Sequence, residues 1–178
     1  MSRFALTAIG RDRAGIVEGV TEVLFEFNCN LEDSSMTILQ DEFAIILIMT
    51  APDDLDKNLL EENLKSVGEA LKLSIHLKEI DDVCSEIAES THMVTVSGYD
   101  KAGIVFKSTR FLAKWGINIT DLSTRVIRGD DGDIYIMLLE VHFPPNIDKK
   151  AIEASLQTLG ESLGVKIEVK SINLAGAL

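Results

Sequence analysis

The residues best suited to chemistry occur twice. GRDRAGIV at positions 10–17 returns as GYDKAGIV at 98–105, an offset of 88. In each copy an apolar stretch ends at a glycine (Gly10, Gly98) and an aspartate follows (Asp12, Asp100). A small pair (Ala14-Gly15, Ala102-Gly103) then leads into Ile16 or Ile104. A helix opening there leaves main-chain N–H groups uncrowded by side chains, and its partial positive charge attracts a carboxylate or phosphate. The same residues also have a purely structural reading. Asp12 and Asp100 then cap their helices, at ~1 kcal/mol each, and Gly15 and Gly103 serve close packing. A second repeated set, Asn30 with Asp33 and Asn118 with Asp121, supplies an amide and a carboxylate. These groups suit the two charged ends of an α-amino acid, or they form Asx turns.

Other chemistries fit poorly. His76, His92 and His142 fall on strand-like segments without a nucleophile or metal partner in register and read as ordinary strand residues. Cys29 and Cys84 lack the spacing of a zinc site or a disulfide framework and read as reduced bystanders. GDDGD (129–133) lacks the alternating acidic ligands of a calcium loop and reads as a solvated hairpin turn. RGD at 128–130 and the N-x-T at Asn118 are chance matches. Arg11, Arg13 and Asn30 superficially suit an acylphosphatase, but Tyr99 and Lys101 stand at the two arginine positions of the second copy. The stacking aromatics of an RNA-recognition sheet are missing. No metal, cofactor or catalytic activity is expected.

The elements that must position these residues repeat as well. Apolar residues Ile16, Val17, Val20, Val23, Leu24 and Phe27 recur at helical spacing, and Ile104, Val105, Phe111, Leu112 and Trp115 follow most of that pattern. RFALTAI and HMVTVS, just upstream, are β-compatible, and residues 30–39 and 43–50 form a hairpin joined by Asp41 and Glu42. In the second copy the joint is RGDDGD, where Asp131-Gly132 supplies the positive φ of a tight turn. With three or four inserted residues, FAIILIMT (43–50) falls on IYIMLLEV (134–141) and VGEALKL (67–73) on LGESLGV (159–165). A second helix follows Pro52, or Pro144 and Pro145, with Leu59, Leu60, Leu64 and Val67 on one face. A last strand alternates Leu71, Leu73, Ile75, Leu77 with polar residues. The order βαββαβ, twice, is an internal duplication. The fold class is therefore α+β: two ferredoxin-like domains, each a four-stranded antiparallel sheet with two helices on one face. The domains are placed at 1–80 and 91–178, with an acidic linker at 81–90. The third strand is apolar on both faces, so the helix-free face calls for a cover, the other repeat or a second chain.

A net charge of −12 over 178 residues argues against nucleic acid as a direct partner. The imbalance is uneven: residues 1–88 hold 18 acids and 7 bases, residues 89–178 hold 11 and 10. On the first helix Glu18, Glu22 and Glu26 line the outer face, where the matching helix carries Lys107, Arg110 and Lys114. Opposite rows favour pairing these helices with each other, or they are simply solvated. No apolar run exceeds the seven residues FAIILIM, and charge arrives too early at the N-terminus for a secretory signal, so a cytoplasmic protein without a membrane partner is expected.

The loop G-x-D-x-x-G-I-V, followed about 15 residues on by GINITDLS or NCNLEDSS, resembles the ACT domain, a small-molecule-sensing module. The match covers both halves. A stand-alone tandem of two such units is similar to the bacterial glycine cleavage system transcriptional repressor family. The resemblance implies an amino-acid ligand, glycine or a similar one, held where the first-helix loop of one unit meets the second strand of a neighbouring unit. It also implies control through a protein partner such as a transcriptional activator, and a homodimer. Position by position it selects Asp12, Ala14, Gly15, Ile16, Asn30 and Asp33, then Asp100, Ala102, Gly103, Ile104, Asn118 and Asp121. Ala14 and Ala102 depart from the proline frequent in the family and leave the loop softer. The alternatives are a sensor acting on a metabolic enzyme in trans, and a structural module without a ligand.

Overall fold

A computed structural model describes residues 2–81, 91–129 and 132–172. The chain forms two compact units, Met1–Cys84 and Ser85–Leu178. The first runs β1 (Ser2–Arg11), α1 (Ile16–Glu26), β2 (Asn30–Leu39), β3 (Glu42–Ala51), α2 (Lys57–Leu71) and β4 (Leu73–Ile80). The second runs β5 (His92–Tyr99), α3 (Ile104–Lys114), β6 (Asn118–Ile127), β7 (Ile134–His142), α4 (Lys149–Leu163) and β8 (Val165–Ser171). The sheets have strand orders β2-β3-β1-β4 and β6-β7-β5-β8, all neighbours antiparallel, which is the expected architecture. Among the described residues no helix is long and apolar enough to cross a membrane. Cys84, the linker residues 82–90, Asp130 of the RGD match and Asp131 of the turn pair lie outside the described residues.

Alternation along each strand decides which face is covered. Phe43, Ile45, Leu47 and Met49 are buried under the helices beside Phe4, Leu6 and Ala8, while Ile46 and Ile9 on the opposite face stay about half exposed. In the first unit the buried apolar helix residues are Ile16, Val20, Val23, Leu24, Leu60 and Leu64, which close that unit's core; the second unit has a core of its own. Val17, Leu59, Val105 and Trp115, expected on apolar stripes, are instead exposed. They sit at the margins of stripes that the two-layer fold covers only at the centre. Leu71 ends α2 rather than opening the last strand.

Gly10 lies opposite Phe43 and Gly98 opposite Tyr135, so the repeats superpose Phe43 on Tyr135. Four residues are inserted, and the alignment of FAIILIMT on IYIMLLEV slips by one. The slip matters, because one residue turns a strand's faces over: Tyr135 is buried, and its neighbour Ile134 is 45% exposed. At position 108 the second unit places a serine where the first has Val20, and its buried hydroxyl has no partner among the described residues.

Candidate functional site

Each repeated loop leaves the end of a central strand and stops at a glycine that starts a helix. The Asp12 N–H donates to Asp41 O (2.7 Å) and the Asp100 N–H to Asp133 O (3.1 Å), tying each loop to the neighbouring hairpin. The N-caps of α1 and α3 are Gly15 and Gly103, at φ 91° and 95°, and neither helix has a side-chain cap. The capping expectation for Asp12 and Asp100 is therefore wrong: both lie three residues ahead of the caps, and their carboxylates do not reach the helix amides. Close packing is wrong too. A methyl on Gly15 would meet nothing nearer than Glu18 Oε2 at 4.0 Å, and on Gly103 nothing nearer than Lys107 Cε at 4.0 Å. The glycines are required by left-handed backbone. Close approach is the business of Gly10 and Gly98, where a methyl would come within 2.8 Å of Leu73 and Val165 side-chain atoms.

The second helices show what a closed terminus looks like in this chain. Asp56 Oδ1 accepts from the N–H groups of Asn58 (3.0 Å) and Leu59 (3.2 Å), and Asp148 Oδ1 from Ala151 (3.2 Å). Sequence reading missed these caps. Their signal was an aspartate one residue ahead of the first helical residue.

The two open termini differ in charge. Glu18 stands in the first turn of α1, and α3 has no acid there; Lys107 Cε instead lies 4.0 Å from where a methyl on Gly103 would stand. The loop cations serve other ends. Arg13 Nη2 donates to Ala70 O (3.2 Å) at the C-terminus of α2, and Arg11 makes a largely exposed contact with Asp41 (3.7 Å). Asp100 also lies within reach of Tyr135, whose phenol is held above its usual pKa by burial and then by this carboxylate, against a hydrogen bond with Thr124.

Asn30 and Asp33 are three residues apart, a spacing that puts side chains on opposite faces of a regular strand. A register shift between Leu31 and Asp33 prevents this: Asn30 pairs with Thr50 and Asp33 with Ile48, both on the helix-free face. The second unit repeats the shift between Ile119 and Asp121, pairing Asn118 with His142 and Asp121 with Glu140. Arg3 braces the first bulge, its Nη2 2.7 Å and Nε 3.1 Å from Glu32 Oε2. Nothing in the strand pattern announced the bulge. Asp33 also accepts from the Ser34 N–H (2.7 Å).

Each unit therefore brings its candidate residues together as two groups. Asp12, Ala14, Gly15 and Ile16 follow the Arg11 end of β1, while Asn30 pairs through Thr50 with Arg3 at the other end. Asp33 pairs through Ile48 with Ala5, so six to eight residues of strand, about 20 to 26 Å at ~3.3 Å per residue, lie between the two groups. Asp100, Ala102, Gly103 and Ile104 stand apart from Asn118 and Asp121 in the same way. Ile16 and Ile104 are buried anchors, and the other ten residues lie on the surface or partly so. A hollow of about 700 Å³ runs between α2 and β4 and is lined by none of them. Another of about 390 Å³, between α3 and β6, includes Asn118. Of the three histidines, His92 is buried and stacked on Phe143 at 4.2 Å, and no group of metal-binding side chains occurs among the described residues.

Comparison with known proteins yields one family. The ACT domain profile matches residues 2–78 and again 90–170. A UPF0237 protein of Methanopyrus kandleri is 39% identical over 82 residues, 46% of this chain and 91% of that one. The glycine cleavage system transcriptional repressor of Escherichia coli is 25% identical over 170 residues, 94% of this chain and 89% of that one. A crystal structure of an unknown protein from Galdieria sulphuraria is 28% identical and superposes with a TM-score of 0.80, covering 97% of this chain and 99% of that one.

Proposed function

The chain belongs to the ACT domain family, and from that premise we propose that it is a regulatory protein that binds a small α-amino acid and passes its occupancy to a protein partner. The observation that carries this reading is the contrast between helix ends. The same chain closes α2 and α4 with aspartate side chains and leaves α1 and α3 open behind left-handed glycines. Two open termini at equivalent places are what a ligand carboxylate requires.

The second repeat is the better receiver. An anion arriving at Gly103 meets Lys107, whereas at Gly15 it meets Glu18, and like charge opposes binding there. Within the second unit Asn118 and Asp121 are too distant to hold the ammonium of the same ligand, so Asn30 and Asp33, or Asn118 and Asp121, take part from a neighbouring unit. The E. coli relative is named a transcriptional repressor, and a charge of −12 disfavours DNA as the contact. A transcriptional activator is the leading partner; a metabolic enzyme regulated in trans is the alternative.

Calorimetric titration of the chain with each of the twenty amino acids tests the proposal. Binding of one or a few is expected, weakened about tenfold or more by Lys107→Glu and less affected by Glu18→Lys. No heat and no thermal shift with any amino acid would leave a structural module. Affinity capture on the loaded protein then separates a transcription factor from an enzyme.

A further inference from the structure

Each sheet ends at the last strand of its unit, β4 or β8, and the second helix, α2 or α4, packs beside that strand. Glycines let the two backbones close at one point. A methyl on Gly68 would come within 3.0 Å of Leu73 O, and one on Gly160 within 2.7 Å of Val165 O. In the first unit the hollow of about 700 Å³ begins at that contact and reaches Glu61 and Leu77. Residues 73–77 of β4 all line it, so it lies along the open edge of the strand. In the second unit the hollows along the matching edge are smaller, about 210 and 450 Å³.

Among the described residues no strand pairs with the outer edge of β4, so every second residue there turns its N–H and C=O to solvent. The side chains divide by face. Ile75 and Leu77 are half-buried on the helix side, while Ser74, His76 and Lys78 are exposed on the other. Glu79, the one acid of β4, also turns to the helix side, 3.5 Å from Lys57. The helix-free face of this strand therefore carries no acid, in a half of the chain with 18 acids and 7 bases. On β8 the corresponding face holds Glu168, paired with Lys166 at 2.7 Å.

An open edge alone is common, and a lysine on it commonly deters other strands. Here the lysine stands on one face and an apolar hollow opens on the other, so the edge discriminates between strands. We propose that β4 receives an extended segment of a partner protein as an added strand of the first sheet. Its apolar side chains alternate into the hollow beside α2, and its acidic ones lie against His76 and Lys78. Main-chain hydrogen bonds then supply affinity and the two faces supply specificity. The unit's other acids oppose this less than its charge suggests, because exposed charges farther apart than about 8 Å are largely screened at physiological ionic strength. The surface uses none of the open helix ends and stands whether or not an amino acid binds there.

NMR titration of the full chain with a blocked peptide of alternating valine and glutamate, eight residues long like β4, tests the proposal. Saturable shifts and slowed hydrogen exchange are expected at alternate residues of β4. An added strand uses only every second N–H, so N-methylation of one alternate set of peptide residues is expected to abolish binding and of the other set to spare it. Serine in place of valine, or lysine in place of glutamate, is expected to weaken binding about tenfold or more. Lys78→Glu, at an exposed position, is expected to reverse the preference for glutamate over lysine, with circular dichroism confirming the fold. No binding, equal sensitivity to both N-methylated sets, a preference unchanged in Lys78→Glu, shifts centred on β8 or β2, or edge amides of β4 already protected in the free chain would each overturn the proposal.

Discussion

His92 shows how a single residue can set the pH response of one repeat. It stands where the first unit has Phe4, on the covered face of its sheet, 3% exposed. The Thr91 hydroxyl donates to Val141 O (3.3 Å) and accepts from the Phe143 N–H (2.9 Å), so the imidazole contact at 2.9 Å is made by a protonated Nδ1 donating to Thr91 Oγ1. Burial first, and Lys149 second, push its pKa below the ordinary imidazole value, with Glu153 partly opposing them. The sign follows from linkage. Below about pH 6.5 the unfolded chain takes up a proton that the folded one resists, so stability falls as the pH drops through that value toward the depressed one. Urea unfolding across this range is expected to show that loss, and His92→Phe, the choice of the first repeat, is expected to flatten it. An unchanged slope in the variant would assign the pH dependence elsewhere.

At the scale of elements, the helix ends divide the chain's aspartates into two kinds. Asp56→Ala and Asp148→Ala are each expected to cost about 1 kcal/mol in denaturant titrations, because each strips a cap from a 15-residue helix. Asp12→Ala and Asp100→Ala are expected to stay within about 0.5 kcal/mol, as exposed residues that close nothing. Equal costs at all four positions would mean that the loop aspartates support their helices. Much of this layout was legible in the chain. The repeated octapeptide, helical and alternating periods and turn residues fixed the βαββαβ order, because burying one face leaves a periodic trace in residue type. What escaped was decided by offsets of one to three residues. The cap falls on Gly15 rather than Asp12 because glycine tolerates left-handed φ, and the bulge turns Asp33 onto the face of Asn30. Neither choice alters hydrophobic periodicity. The separation of the loop groups from the strand groups was equally hidden, since it depends on how β1, β3 and β2 align.

For the whole molecule, duplication supplied two copies of one fold, and divergence made them unequal. The first copy holds most of the negative charge and an acid beside its open helix; the second is nearly balanced and has a lysine there. On this account the repeats share an architecture and divide the labour, one receiving an anionic ligand end and the other presenting acidic surface. The claim at its centre is that the first amides of α3 bind a carboxylate. Amide-resolved NMR during titration with a pool of the twenty amino acids observes them individually. Saturable shifts are expected to be largest at Ile104, Val105 and Phe106, where Gly103→Ala abolishes them, and smaller at Ile16, Val17 and Glu18. Saturable shifts elsewhere that leave residues 104–106 unmoved, or no shifts at all, would contradict it.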